Sequence, residues 1–277
     1  MLMMLEGLRS VVGRIERGGV SAQGGAGGRS APPAWPAVAL GLPALDQALP
    51  EGGIARGRMH EVVAEEGEAG TGFAALLLAR LLGESGRALW CGRSSRTGGV
   101  GPYAPGAAEF GIAPEQLILA RTPGDAETLW AMEEGLRCPA LAAVLGEVAA
   151  LDLTAGRRLQ LAAERHGVTA LVLRRPLRAV VRGAAQRLEP SAARRIEPSA
   201  AATRWRVAPL PGEDAERARW RVELLRCRGG VPRDFVLDWS HGPGNPEGFA
   251  AGGRAVAAAP GDGPGPSRAA PQEDAAD

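Results

Sequence analysis

LPALDQALPEGGIARGRMHEVVAEEGEAGTGFAALLLARLL, residues 42–82, places an apolar run (MHEVVA, 59–64), a Gly-rich turn and a strongly apolar helical run one after another. Strand, glycine turn, helix is the order of a phosphate-binding loop, where backbone amides at a helix N-terminus cradle an anion. Gly67-Glu68-Ala69-Gly70-Thr71-Gly72-Phe73-Ala74 fits the frame G-x-x-x-x-G-K-[ST], but Phe73 stands where the lysine belongs and Ala74 where the metal-holding hydroxyl belongs. Both groups that phosphoryl transfer needs are therefore missing. Glu65, Glu66 and Glu68 crowd the same turn, and each carboxylate repels a polyphosphate by on the order of 1 kcal/mol at close range in water. The stretch predicts a fold of the nucleotide-binding kind with no catalytic residue and no cofactor.

Composition narrows the chemistry further. The chain has 277 residues, 45% of them hydrophobic, with a formal net charge of +1, enough apolar material for a substantial core and no global field aimed at nucleic acid. All 32 basic residues are arginines, which excludes a phosphate-loop lysine, a Schiff base and a Ser-Lys dyad together. Cys91, Cys138 and Cys227 are odd in number and far apart, so they are expected to be small buried residues rather than a disulfide framework or a zinc site. His60, His166 and His241 are scattered, and no metal site is expected. The N-terminal MLMMLEGLRSVVGRIER carries charges where a signal peptide would be apolar, and no run approaches a membrane span, so a cytoplasmic chain is expected.

Along the chain, residues 1–17 place Leu5, Leu8, Val12 and Ile15 in one apolar stripe, the pattern of a short amphipathic helix. Residues 18–37 are rich in Gly, Ala, Ser and Pro and read as a flexible linker. From 38 to 186 short apolar strands alternate with helices: strands at 59–64, 87–91, 116–121, 141–148 and 169–175, helices at 74–86, 123–137 (with Asp125 as N-cap) and 154–166. That alternation predicts an α/β fold, a mainly parallel sheet flanked by helices. Residues 187–241 form an Arg/Trp strand module in which RWRVAPL (204–210), RWRVELLRCRGG (219–230) and DFVLDW (234–239) read as antiparallel strands, preceded by a short duplication, RLEPSAA and RIEPSAA. Residues 242–277 are expected to be a disordered tail.

These residues carry a resemblance. The opening run through the glycine turn resembles the start of a RecA-type core, as do AEFGIAPEQLILARTPGDAETLWAMEEGLR and LAAVLGEVAAL further on. The lysine-free loop together with SAAATRWRV and the W-R-V-E-L-x-R-x-RGG strand is similar to the ImuA family, RecA-like accessory proteins of bacterial damage-induced mutagenesis, over about residues 38–241. Carried over residue by residue, the RecA-type lysine and threonine fall on Phe73 and Ala74, the metal-holding aspartate on Gly146 beside Glu147, and the catalytic glutamate near Arg93. Glu147 itself reads as a solvated strand-end residue.

The resemblance implies a non-catalytic role in translesion synthesis beside an ImuB-like polymerase homologue, an error-prone replicative-type polymerase and RecA. From the residues alone, the contact surfaces expected are the N-terminal stripe and the arginines Arg204, Arg206, Arg219, Arg221, Arg226 and Arg228, which alternate with core-facing tryptophans and so line an outer face. Direct DNA binding by that face is the weaker reading, because local acids dilute it. The alternatives are a SulA-type division inhibitor, a related lysine-free RecA-like body, and a degenerate ATP-binding protein.

Overall fold

The structure is a computed structural model that describes residues 35–65, 68–93, 104–175, 198–211, 217–240 and 254–257. In chain order these form α1 (Pro43–Asp46), β1 (Met59–Ala64), α2 (Ala69–Leu82), β2 (Ala88–Arg93), α3 (Ala104–Glu109), a single 3-10 turn (Pro114–Gln116), β3 (Leu117–Thr122), α4 (Asp125–Leu136), β4 (Ala143–Val148), α5 (Leu153–His166), β5 (Thr169–Arg174), β6 (Thr203–Leu210), β7 (Arg217–Cys227), β8 (Arg233–Ser240) and β9 (Arg254–Ala257). The strands make one sheet in the order β3-β2-β4-β5-β1-β6-β7-β8-β9. Pairing is parallel from β3 through β6 and antiparallel from β6 to β9. The expected α/β class is the observed one.

The topology follows from burial. β1, β2, β4 and β5 are buried on both sides, which is why they read as continuous apolar runs. One face of the sheet packs on α2, with Leu76, Leu77, Leu78 and Leu81 against Val62, Trp90, Leu145 and Leu171. The other packs on α4 and α5, where Met132, Leu136 and Leu159 meet Leu89, Val144 and Val172. Crossovers toward β3 pass over the first face and those returning toward β5 pass over the second, as the right-handed rule requires. Cys91, Cys138 and Cys227 are free and buried, as expected.

Several details differ from the sequence reading, each for a local reason. α2 begins at Ala69, five residues before 74, because Ala69 and Gly70 are themselves buried against the sheet. Asp125 is not an N-cap: that position is Gly124, and Asp125 Oδ2 accepts the amides of Ala149 and Ala150, tying α4 to the end of β4. The Arg/Trp strands do not stand apart from the core but extend its sheet, since β6 pairs directly with β1. β9 lies inside the tail expected to be without structure, paired with β8. The N-terminal stripe and most of the duplicated segment lie outside the described residues.

His60 joins the core to β6. Its Nε2 donates to Ala55 O (2.8 Å), which fixes the tautomer, so Nδ1 accepts from Thr203 Oγ1 (2.8 Å), and that hydroxyl in turn accepts from Trp205 Nε1 (2.8 Å). Complete burial pushes the imidazole down to about 4. The unfolded chain therefore takes up a proton that the folded chain refuses between pH 6.5 and 4, so stability is greatest above that window and falls as the pH drops through it. Chemical denaturation at pH 7 and pH 5 is expected to show a loss of about 2 kcal/mol, absent in His60→Gln, which is less stable at pH 7. Equal stability of the unsubstituted protein at the two pH values refutes this assignment.

Candidate functional site

The C-terminal edge of the parallel strands, where α2 starts, is where a phosphate would sit in a loop of this order. Here the helix has taken the loop. The Gly72 amide donates to Glu68 O (2.9 Å), so the amides from Gly72 onward are committed to the helix and do not face an anion. Phe73 and Ala74 are buried, with the Phe73 ring edge-on to Trp205 at 5.4 Å. Gly72 is required because a Cβ there would lie 2.7 Å from the Trp220 ring. Trp220 stacks parallel to Trp239 (6.4 Å), and Phe110 stacks on Trp239 (4.7 Å), so an aromatic wall closes over the first turn of α2. Of the loop residues expected from sequence, Gly70, Thr71, Gly72, Phe73 and Ala74 are helical and Gly67 lies outside the described residues.

The cation at the start of α2 is Arg175, just past β5. Its Nη2 donates to Glu68 Oε2 (2.9 Å) and to Thr71 Oγ1, and its Nε lies 3.4 Å from Glu147 Oε2. Burial alone would raise the Glu68 carboxyl, but its hydrogen bonds from Arg175 and Thr71 outweigh that and hold it below the ordinary value. Glu147 is not a solvated strand-end residue: its Oε1 accepts the Trp90 indole N–H at 2.6 Å. Glu65 pairs with Arg206 (3.3 Å), which also reaches Glu223 (2.8 Å). Of the carboxylates that crowd the turn in sequence, Glu65 and Glu68 are thus matched by arginines distant in sequence, and Glu66 lies outside the described residues. Sequence reasoning missed Arg175, whose only sign was the paired arginines closing TALVLRR.

The position carried over for a metal-holding aspartate, Gly146, is closed as well. A Cβ there would run into the Met132 side chain of α4, so this glycine serves helix-on-sheet packing. Arg93 is exposed at the end of β2. Among the described residues no group of His, Cys, Asp and Glu could hold a metal ion, and no helix is long and apolar enough to cross a membrane.

The arginines of the C-terminal strands divide. Trp205 and Trp220 fill the core as expected, but Arg204 is 5% exposed and lies 3.4 Å from the buried Glu61, which also accepts from Arg174 (3.0 Å) and Ser199 (2.7 Å). It is a buried structural ion and not part of an outer contact face. Arg206 is paired as above, Arg219 meets Asp238 (2.8 Å), and Arg226 donates to the Ser199 carbonyl. Only Arg221 and Arg228 are exposed in the way the alternation predicted. Leu5, Leu8, Val12 and Ile15 lie outside the described residues.

No protein-family model matches the chain. Over 224 residues it is 37% identical to Protein ImuA of Caulobacter vibrioides, in each of two strains, an alignment that covers 75% of this chain and 86% of the relative.

Phe73→Lys is expected to place an ammonium against Trp205 and to cost about 4 kcal/mol or more, read as a lower denaturation midpoint. Gly146→Asp, which forces Met132 out of its seat, is expected to cost about 3 kcal/mol or more. A Phe73→Lys protein as stable as the parent would show that this site is open to water rather than filled.

Proposed function

The chain belongs to the ImuA family, and we propose that it acts as a non-catalytic accessory of damage-induced translesion synthesis and mutagenesis. In this reading it works by protein contact, binding an ImuB-like polymerase homologue, an error-prone replicative-type polymerase or RecA, and takes no nucleotide. The observation that supports the non-catalytic half is the filled loop: Phe73 and the Trp220 wall occupy the apolar part of the would-be phosphate site, and Arg175 with Glu68 and Thr71 occupies its polar part. A ligand with two or three phosphates would have to break that ion pair, unwind the first turn of α2 and face Glu65, Glu68 and Glu147. Each of those steps costs free energy that no lysine or metal-holding hydroxyl is present to offset. With the catalytic edge closed, the fold offers its outer surfaces.

Two measurements test the reading. The purified chain, alone and with Phe73→Lys and Ala74→Thr combined, is expected to show no ATP turnover and no nucleotide binding at millimolar ATP; turnover that purifies with the chain refutes the non-catalytic half. Titrated in parallel against an ImuB-type polymerase homologue, RecA and a tubulin-like division protein, it is expected to bind one of the first two. Binding to the division protein alone moves the chain to the SulA-type reading.

A further inference from the structure

β3 forms one end of the sheet and pairs with β2 on its inner side only. Every second residue of such a strand turns both its N–H and its C=O away from the sheet, and among the described residues no backbone hydrogen bond reaches that outer side. Sheet edges are ordinarily blunted by a proline, a bulge, charges or shortness. The opposite edge, β9, has only four residues. β3 has six, with a register on β2 that runs unbroken from Ala88↔Leu117 to Arg93↔Thr122, no proline, and Arg121 as its one charge. Of the large apolar side chains in β1 to β8, Leu119 alone is exposed, at 52%. Open backbone groups beside an exposed leucine fit an extended chain, which satisfies the first and covers the second.

The sequence along that edge matches itself. Glu115-Gln116-Leu117-Ile118-Leu119-Ala120-Arg121 carries an acid at one end, a base at the other and two leucines between. Laid antiparallel on a second copy with Ile118 at a two-fold axis, it sets Leu117 opposite Leu119 and Glu115 opposite Arg121, each pair occurring twice. Directly opposed residues of antiparallel strands share a face, so each face of one sheet continues into the same face of the other. Glu115, in the 3-10 turn that leads into β3, and Arg121 are both exposed, and neither meets an opposite charge among the described residues. An in-register parallel arrangement would instead set each charge against its like.

We infer that two copies of the chain pair through β3, antiparallel about a two-fold axis at Ile118, so that two nine-stranded sheets become one. The dimer presents every remaining surface of the chain twice, which raises the apparent affinity for any partner that is itself multivalent. This pairing does not rest on the mutagenesis role, because it concerns the isolated chain.

Sedimentation velocity on the full chain tests it. Between about 1 and 100 μM the chain is expected to pass from monomer to dimer, and the outward amides of β3 are expected to slow in hydrogen exchange over the same range. Leu119→Lys, at an exposed position whose substitution leaves the core intact, is expected to stay monomeric throughout. Glu115→Arg and Arg121→Glu, each alone, set like charges opposite one another at both ends of the pairing and are expected to weaken the dimer about tenfold; the double variant, which exchanges the two charges, is expected to recover it. A monomer at every concentration overturns the inference, as does a dimer that survives Leu119→Lys or one that the double variant fails to restore. A monomeric chain whose β3 amides slow only on addition of RecA or an ImuB-type polymerase homologue also overturns it, assigning the edge to that partner instead.

Discussion

The contact of Phe73 with Trp205 holds two halves of the molecule together. Phe73 is the fifth residue of α2, and Trp205 lies on β6, the strand at which the sheet changes from parallel to antiparallel. Because the two rings meet edge to face at 5.4 Å in a fully buried setting, α2 is pinned over β1 and β6 at once. Trp220 against Gly72 and the Phe110–Trp239 stack extend the same contact across β7 and β8. The antiparallel strands therefore share the core of the parallel ones. The position that would hold an anion-binding lysine is the centre of that shared core, so this chain cannot regain such a lysine without loosening the junction.

Electrostatics follow from the same replacement. A buried carboxylate with no partner is costly, and the carboxylates of the sheet edge run from the buried Glu61 to the exposed Glu68. Each is met by an arginine from a neighbouring strand: Glu147 and Glu68 by Arg175, Glu65 and Glu223 by Arg206, and the deeply buried Glu61 by Arg174 and Arg204. The planar guanidinium reaches two acceptors at once, which an ammonium does less well, and three of these arginines bridge different strands. The exclusive use of arginine thus has a structural consequence whatever its origin in the coding sequence. Glu65 and Glu68, which the sequence sets against a phosphate, instead pair with arginines at the strand ends.

Much of the fold was legible because burial on both sheet faces writes uninterrupted apolar runs: MHEVVA, ALWC, AVLGEV and TALVLR are strands where the sequence places them. The tryptophans of the RWRV strands were legible too, since period-two alternation puts Trp205 and Trp220 inward. Alternation does not say what stands over the opposite face, however. Arg204 was expected outside and is buried, paired with Glu61 of the adjacent strand, which in turn accepts from Ser199, and neither relation to Glu61 is local in sequence. The start of α2 was misplaced for a related reason. A glycine-rich turn signals a loop when an anion organises it, and the signal that none does lies in Phe73 and in Trp220, almost 150 residues away.

In a nucleotide-driven RecA-like body the C-terminal edge of the sheet is where energy enters and where surfaces are rearranged. Here the described residues of that edge form an aromatic wall beside a set of Arg–Glu pairs.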